Sequence, residues 1–509
     1  MALAQVDGVV LSGVMGALVR VEVDIADGLP SVGVVGLPDT SVNESRWRAR
    51  SAIDSIGLTW PNRRITISLS PAEVRKQGAG LDLPIAIGVL AASEQVPVDA
   101  LAGTAFIGEL GLDGRIRGTH GVLAGALAAR AAGVGRLIVP SDSAAQLDGL
   151  SRIRVVAADH LAQVIQVLTT ATDDAEVAAI LRPRVAPDYG LDLADVRGHL
   201  MGRVALEVAA VGGHHCALVG APGVGKTLLA QRLPGLLPDL DEDAVLEVAA
   251  LHGVASDGRP DGERHRPPFR APHHSASSAA ILGSVRGARV TPGAATLAHR
   301  GVLFLDEAPE FARPALEGLR QPLESGWASL DRSGWSGRLP ARFQLVLAAN
   351  PCPCGLRIGT GAGCSCAPAA VRRYAARLSG PLLDRIDIRL ALLRPADAEL
   401  MSTQPGEASA PVRDRVAAAR ARAAHRFAGL PYCLNVEIPA GELRRRWAPD
   451  PGGVDLLRDL DRSSVNLRGP DRVLRMAWSV ADLAGRDRPG RDDIALACSL
   501  RGATTGWAA

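Results

Sequence analysis

Lysine is almost absent from this sequence. Among 509 residues there are 56 lysines and arginines, and only Lys76 and Lys226 are lysines. We interpret the excess of arginine as a coding bias and not as a physical demand. The question is therefore why position 226 holds a lysine.

Aromatic residues are scarce, and the sequence has neither a long apolar run nor a cysteine pattern typical of disulfides. Aromatics make up 3% of the chain, so the cores must be built from Ala, Val, Leu and Ile. No apolar run approaches the roughly 20 residues that span a bilayer, and the stretch MALAQVDGVV has no secretory signal pattern. Seven cysteines, four of them crowded between Cys352 and Cys366, suit a reducing compartment better than a disulfide framework. We predict a cytoplasmic protein without a membrane partner.

The bulk numbers are those of an ordinary soluble protein. Hydrophobic residues make up 47% and charged residues 22% of the chain, and the net charge is +2. This net charge argues against a protein whose whole surface is basic and binds polyanions, but it leaves room for a local basic channel. The length predicts about three domains.

Periodicity divides the chain into three segments and two linkers. Residues 1–170 mix alternating apolar runs such as LVRVEVDI with helical stretches such as LPIAIGVLAAS, which predicts an α+β domain. The polar, proline-bearing residues 171–190 are predicted to be a linker. Residues 191–395 contain HCALVG, GVLFLDE and FQLVLAAN, which are typical of buried parallel strands in an α/β domain. After a second linker, 396–410, helical patterns predict a helical domain over 411–509.

Lys226 lies in a phosphate-binding motif. LVGAPGVGKTLLA contains G-x-x-x-x-G-K-[ST] between a strand-like and a helix-like run. The glycines let backbone N–H groups turn towards phosphates, and the helix N-terminus adds a favourable dipole. Lys226 would reach the β- and γ-phosphates as a compact charge, which a wide guanidinium cannot do, and Thr227 would place its hydroxyl on Mg²⁺. The predicted ATP-binding residues are Gly220, Ala221, Pro222, Gly223, Val224, Gly225, Lys226 and Thr227.

Two downstream strand ends supply further polar groups for ATP hydrolysis. GVLFLDEAPEF offers Asp306 for Mg²⁺ and Glu307 to polarise the attacking water. FQLVLAAN ends at Asn350, which would orient that water or the γ-phosphate, although an Asn there, taken alone, is more often a turn former.

Several longer stretches carry a family resemblance. FRAPHHSASS, AHRGVLFLDEAPEF, AANPCPCG and RLSGPLLDRIDI resemble the magnesium-chelatase-like branch of the AAA+ ATPases, and the similarity to the ComM competence family covers nearly the whole chain. The resemblance implies an α/β AAA+ P-loop ATPase core with a helical lid, preceded by an α+β Lon-protease-like domain. It also implies a homo-hexameric ring with ATP at subunit interfaces. Arg385 in LLDRID matches the arginine finger, and Arg468 in NLRGPDRVLR matches the sensor arginine of the lid.

The first segment resembles the proteolytic domain of Lon proteases, which use a Ser–Lys dyad. RKQGAGLDLPIA matches the serine stretch with Gly80 at the serine position, and GELGLDGRIRGTHGVLAG matches the lysine stretch with Leu123 at the lysine position. Glycine has no nucleophile and leucine cannot take its proton, so we expect no peptidase activity. The domain is expected to pack rings together or to bind a partner. Lys76 is expected to be an exposed loop charge.

Four cysteines form the pattern C-x-C-x₉-C-x-C: Cys352, Cys354, Cys364 and Cys366. Four thiolates this close in sequence can form a tetrahedral zinc site, but ligand pairs are normally spaced C-x₂₋₄-C. The sequence leaves open a zinc site and a loop of four reduced thiols.

A β-hairpin is predicted around SGWSG, just before the strand that ends at Asn350. In this AAA+ branch such a hairpin points into the pore of the ring. Arg332 and Arg338 would then contact DNA phosphates, and Trp335 would stack on a base. An ordinary exposed hairpin is the alternative. The helix RDRVAAARARAAHRF adds arginines, but such a run is usually a solvated face.

The leading functional hypothesis is an ATP-driven motor on single-stranded or branched DNA. The resemblance implies helicase or branch-migration work in recombination or natural transformation. The alternatives are a magnesium-chelatase-type assembly motor and a protein-remodelling chaperone, which would use the same ATP site. The Lon-like segment, which the chelatase subunit lacks, favours DNA.

Overall fold

The computed structural model describes residues 2–72, 76, 78–170, 190–255, 265–286, 289–332, 335–357, 363–401, 406–463 and 468–502. The predicted linker 171–190 lies almost entirely outside these ranges, as does part of the linker 396–410.

A mixed seven-stranded sheet with helices on both faces builds the N-terminal region. The described strands of this region are β1 (Ala2–Ser12), β2 (Met15–Ala26), β3 (Ser31–Val35), β4 (Arg64–Ser70), β5 (Thr104–Phe106), β6 (Glu109–Leu110), β7 (Ile116–Arg117), β8 (Arg136–Pro140) and β9 (Arg154–Ala158), of which all but β6 and β7 belong to the seven-stranded sheet. Its helices are α1 (Thr40–Ser55), α2 (Asp82–Ala92), α3 (Val122–Ala131) and α4 (Leu161–Thr169). The sheet order is β3-β4-β2-β1-β5-β8-β9, and β6 pairs with β7. Helices α1, α2 and α4 pack on one face and α3 on the other, since alternating strand residues point to opposite faces.

A five-stranded parallel sheet forms the centre of the molecule. The strands of this region are β10 (Cys216–Gly220), β11 (Phe269–Arg270), β12 (Gly283–Arg286), β13 (Arg289–Pro292), β14 (Val302–Leu305), β15 (Trp327–Arg332), β16 (Trp335–Pro340), β17 (Gln344–Ala349) and β18 (Ile388–Leu392). The helices are α5 (Leu200–Gly212), α6 (Lys226–Leu236), α7 (Glu242–Val254), α8 (Ser278–Leu282), α9 (Ala294–Leu297), α10 (Arg313–Gly318), α11 (Arg320–Ser325), α12 (Pro368–Ala375), α13 (Gly380–Leu383) and α14 (Asp397–Leu400). The sheet order is β11-β14-β17-β10-β18, and β12-β13 and β15-β16 are antiparallel hairpins. The carboxyl ends of β10, β14 and β17 therefore lie side by side, where open α/β sheets bind ligands.

Helices complete the described chain. They are α15 (Ser409–Arg426), α16 (Ala440–Arg446), α17 (Pro451–Ser463), α18 (Arg468–Leu483) and α19 (Arg491–Arg501). Val412 on α15 and Trp478 on α18 belong to the same buried core as Leu218 on β10 and Val346 on β17. The helical region and the parallel sheet thus share one hydrophobic core. Among the described residues, no helix is both long enough and apolar enough to cross a bilayer.

Helix α7 joins the N-terminal region to the parallel-sheet region. Leu246 and Ala250 on α7 enter the core that α3 forms with its sheet. On the other side, Val14 from the N-terminal region enters the core that contains Leu251. An ion pair of 2.9 Å between Arg130 and Asp243 adds a polar contact at the edge.

Lys76 is buried, so the prediction of an exposed loop charge was wrong. Its backbone N–H donates to the Leu37 carbonyl oxygen, and its own carbonyl accepts from the Asp39 N–H at 3.1 Å. These hydrogen bonds hold Lys76 against the segment that contains Leu37 and Asp39. The ammonium group donates to the carbonyl oxygen of Pro71, and burial lowers the pKa of Lys76.

Candidate functional site

The glycine-rich loop connects β10 to α6 as the motif requires. Gly223 has φ +75 and Gly225 has φ +97, so both occupy the left-handed region that favours glycine. Gly225 precedes the first residue of α6, which directs the N-terminal N–H groups of that helix at the loop. Val224 turns inward and buries its side chain in the core beneath the loop.

Lys226 is held by three acceptors at the mouth of the loop. Its Nζ donates to the carbonyl oxygens of Gly220 and Ala221 at 2.8 Å each and to Oδ1 of Asn350 at 3.1 Å. Burial lowers the pKa of Lys226, while the Asp306 and Glu307 carboxylates act in the opposite direction. The side chain is thus a positioned cation at the end of β10, and Asn350 on the neighbouring strand end is its partner.

Thr227 and Asp306 form the pair predicted to hold Mg²⁺. The Thr227 hydroxyl donates to Oδ2 of Asp306 at 2.7 Å, and Oδ1 of Asp306 accepts from the Glu307 N–H at 2.9 Å. A hydroxyl and a carboxylate are oxygen ligands of the kind that Mg²⁺ takes beside phosphate oxygens. The residues present therefore suit a nucleotide-bound Mg²⁺.

Glu307 stands beside this pair in a strained backbone conformation. Its φ is +50, which is uncommon for a residue with a side chain and costs of order 1–3 kcal/mol. Its side chain is 54% exposed, and Oε2 lies 3.3 Å from Nδ1 of His274. The conformation aims the carboxylate into the cavity at the strand ends.

These groups surround one cavity of about 400 Å³. The structure therefore brings together the predicted phosphate loop, Asp306, Glu307 and Asn350. The described residues that line this cavity are Pro222, Gly223, Gly225, Lys226, Thr227, Leu228, Asp306, Glu307, Ala349 and Asn350.

Of the two arginines carried by the resemblance, the structure describes the side chain of Arg385. Among the described residues that line the cavity, Arg385 does not appear. It follows α13, and its guanidinium pairs with Glu324 at 2.6 Å and donates to the Pro381 carbonyl oxygen at 2.6 Å. Arg468 is the first residue of α18, and its side chain lies outside the described part of the chain.

The four cysteines converge. Cys352 Sγ lies 3.3 Å from Cys354 Sγ and 3.6 Å from Cys364 Sγ, and the sulfurs of Cys354 and Cys364 are 3.7 Å apart. Together with Cys366, all four sulfurs lie within 4.8 Å of one another. Zn–S bonds of about 2.3 Å at tetrahedral angles would place sulfurs roughly 3.8 Å apart, so the cluster has the dimensions of a zinc site.

The predicted hairpin is present as β15 and β16, which pair from Trp327↔Pro340 to Arg332↔Trp335. Arg338 is exposed on β16. The side chains of Arg332 and Trp335 and the turn at 333–334 lie outside the described residues. On the 413–426 stretch, Arg415 is bound to Glu207 and Glu407, and Arg420 is buried against the Ala210 carbonyl oxygen. Arg415 is nevertheless exposed, as a solvated arginine face predicts, whereas Arg420 departs from that prediction.

The dyad positions of the Lon-like segment lie in different surroundings. Gly80 lines a cavity of about 520 Å³, where an added Cβ would meet the Val9 carbonyl oxygen at 3.5 Å, an ordinary contact. Space for a serine therefore exists, but the side chain does not. Leu123 is buried near the start of α3.

Sequence reasoning missed two polar groups. His274, which contacts Glu307, lies in FRAPHHSASS, where the paired histidines were the available signal. The second is buried: Asp387 binds Arg472 at 2.5 Å and His214 at 3.1 Å. Burial raises the pKa of Asp387, but Arg472 and His214 outweigh it and hold that pKa below its usual range. This contact joins the segment that carries Arg385 to the lid helix α18.

Comparison with known proteins places the chain in a family. Three family models match in succession: "Subunit ChlI of Mg-chelatase" over 21–143, "Magnesium chelatase, subunit ChlI" over 192–400 and "Magnesium chelatase, subunit ChlI C-terminal" over 406–501. The first model carries the chelatase subunit's name over the Lon-like segment, so the expectation that this segment separates a DNA motor from a chelatase was wrong. The protein YifB of Escherichia coli is 40% identical over 96% of this chain and 95% of its own length. The chain belongs to the magnesium-chelatase-like AAA+ family, in its YifB/ComM group.

Other relatives agree with this placement over almost the full length. An uncharacterized protein of Mycobacterium tuberculosis is 46% identical over 98% of this chain and 99% of its own length. The competence protein ComM of Haemophilus influenzae is 37% identical over 98% of both chains. The Lon-like resemblance is partial: a Lon protease of Clostridioides difficile is 25% identical over 32% of this chain. Membership of this family indicates an ATPase that uses ATP and Mg²⁺.

Proposed function

We propose that this protein is an ATP-driven, homo-hexameric motor that acts on DNA in the cytoplasm, with helicase or branch-migration work in recombination or natural transformation. The observation that carries the proposal is the full-length similarity to a competence protein, combined with a cavity in which Lys226, Asp306, Glu307 and Asn350 converge. The N-terminal region acts without peptidase chemistry, because Gly80 offers no nucleophile and Leu123 no base.

In this mechanism the chain's own residues perform five tasks. The loop glycines and Lys226 would bind the β- and γ-phosphates, and Thr227 with Asp306 would hold the nucleotide's Mg²⁺, which would supply neutralisation of the phosphate charge. Glu307 accepts a proton from the attacking water at its exposed carboxylate. Asn350 orients Lys226 through the 3.1 Å hydrogen bond. Arg385 acts on the nucleotide of the neighbouring subunit.

A magnesium-chelatase-type activity is the second candidate, because all three matching family models carry that name. ATP turnover by the purified protein separates the candidates when it is measured with single-stranded DNA, branched DNA, protoporphyrin, an unfolded protein or no addition. Stimulation by DNA supports the motor. Stimulation by protoporphyrin alone would favour the chelatase, and stimulation by an unfolded protein alone would favour a chaperone.

The hairpin β15-β16 is the proposed DNA contact. Changing Arg332, Trp335 and Arg338 together to Ala should spare basal ATP turnover and abolish both its stimulation by DNA and any branch migration. Trp335→Ala alone should weaken single-strand binding, since stacking contributes about 1–3 kcal/mol per base. Each lost arginine–phosphate contact should flatten the log–log salt dependence of binding by about 0.7–0.9.

Trp47→Ala with Arg50→Ala is the matched control for the hairpin variant. Trp47 and Arg50 are exposed on α1 of the N-terminal region, and the double variant removes the same side-chain chemistry at a distant place. Its stimulation by DNA should equal that of the parent. If the triple hairpin variant migrates branches at the parent rate, the hairpin is not the contact.

We also infer that the four cysteines bind one zinc ion per chain. Their spacing supports a tetrahedral sulfur site, which zinc favours over harder cations. Because four cysteines complete the coordination of one zinc ion, elemental analysis of the purified protein should find about one zinc per chain. Cys433→Ser, which changes an exposed cysteine outside the cluster, should keep the same zinc content. Metal-free protein with four freely reactive thiols would leave only the loop interpretation.

A further inference from the structure

The cysteine cluster lies directly beside the nucleotide cavity. Cys352 follows Asn350 after one residue, and Asn350 accepts the hydrogen bond from Lys226. At the other end of the loop, Cys366 stands immediately before Ala367, which caps α12. The cluster therefore connects the end of β17 to the helix that leads towards Arg385.

The loop also packs on the phosphate-binding loop itself. Gly355 has φ +77, and a Cβ there would lie 2.5 Å from Cδ and 2.7 Å from Cγ of Pro222. Its N–H donates to the Cys352 carbonyl oxygen at 2.9 Å, which closes a turn around the first two cysteines. Pro222 lines the nucleotide cavity, so one turn contacts both the cluster and the ATP site.

The cysteines of this loop bring its two halves together. Cys352 Sγ lies 3.3 Å from Cys354 Sγ and 3.6 Å from Cys364 Sγ. Cys352 is buried, whereas the other three cysteines are partly buried and Leu356 is exposed. A bound metal would therefore cross-link two parts of the loop that are otherwise joined only by thiol contacts among the described residues.

We propose that the metal held by the four cysteines fixes the turn at Gly355 against Pro222, so that metal occupancy controls nucleotide affinity. This rests on the proposed zinc and ATP sites. With zinc bound, the loop is cross-linked and the phosphate loop rests on a rigid support. With zinc removed, the cross-link between the two halves of the loop is lost, and Pro222 and Asn350 lose that support.

The test measures nucleotide affinity directly, without DNA or turnover. Zinc-loaded protein is titrated with a fluorescent ATP analogue and Mg²⁺ before and after zinc extraction, and zinc release is followed with a colorimetric chelator. Zinc removal should raise the Kd for nucleotide roughly tenfold, which corresponds to about 1.4 kcal/mol. Readdition of one equivalent of zinc should restore the parent Kd. An unchanged Kd in zinc-free protein overturns the proposal.

Gly355→Ala tests the contact without touching a metal ligand. The variant should keep its zinc and still bind nucleotide more weakly, because the new Cβ meets Pro222 and the backbone is strained. Gly429→Ala is the matched control: Gly429 has φ +75 with nothing within 4 Å, so it carries the same strain in open space. Equal nucleotide affinity in both variants overturns the proposal.

The possible outcomes distinguish a failure of this inference from a failure of the proposed zinc site or ATP site on which it rests. Purified protein that holds iron or no metal overturns the zinc site and this proposal together. Zinc-loaded protein that binds no nucleotide overturns the ATP site and this proposal together. Circular dichroism of the zinc-free protein shows whether the fold persists, so that a Kd change is assigned to the loop and not to unfolding.

Discussion

Lys226→Ala will lower nucleotide affinity about 10- to 150-fold, the equivalent of one lost charge-assisted hydrogen bond of roughly 1.5–3 kcal/mol. The loss in ATP turnover will be larger, because the transition state carries more charge at the phosphates. Titration with a fluorescent ATP analogue and steady-state phosphate release measure the two effects. Lys226→Arg is the decisive companion: it keeps the charge but not the compact shape, and it should lose affinity as well.

Glu307→Gln will reduce ATP turnover without reducing nucleotide binding. Nucleotide binding should persist, since the half-exposed carboxylate makes no contact with the phosphate loop in the described structure. Turnover should fall roughly 10²- to 10⁴-fold, the contribution of a general base. Trp47→Ala, on the exposed surface of α1, serves as the control that leaves both quantities unchanged. Undiminished turnover in either site variant would refute the assignment of this cavity.

Arg385→Ala will leave nucleotide binding nearly intact and reduce turnover by about 10³- to 10⁵-fold, the effect of removing an arginine finger. Nucleotide binding should persist because Arg385 is not among the described residues that line the cavity of its own chain, and turnover should fall because the proposed finger acts on the neighbouring subunit's nucleotide. Arg394→Ala, which removes an exposed ion pair with Asp397, should keep turnover.

Mixing subunits tests whether Arg385 acts across an interface. An excess of Lys226→Ala subunits should restore part of the activity of Arg385→Ala subunits, because each supplies the group that the other lacks. No rescue at any mixing ratio would argue against shared sites and against the ring.

The contact between His274 and Glu307 gives the cavity an element that the motifs did not predict. His274 precedes α8, and its ring nitrogen lies 3.3 Å from the carboxylate that we assign to water activation. Together with the positive φ of Glu307, this contact holds the carboxylate in one orientation. The sequence motifs do not show this contact, because His274 and Glu307 are far apart along the chain and meet only in the tertiary structure.

The sequence by itself determined the local parts of this protein. The phosphate loop followed from glycine and lysine spacing, and its place between β10 and α6 followed from the change in hydrophobic period. The hairpin followed from two strand-like runs around a Gly/Ser turn, and the structure confirms it as β15-β16. These features are encoded in contiguous residues, since turn chemistry and side-chain period act over a few positions.

The tertiary structure decided which distant residues meet. Thr227 reaches Asp306 across 79 positions and Lys226 reaches Asn350 across 124, because the sheet order places β14, β17 and β10 together. It also buried Lys76 and set Gly355 against Pro222. Periodicity specifies that a strand is buried but not which strand lies beside it; that neighbour is selected by the packing of the whole core, and with it the partners of Lys226.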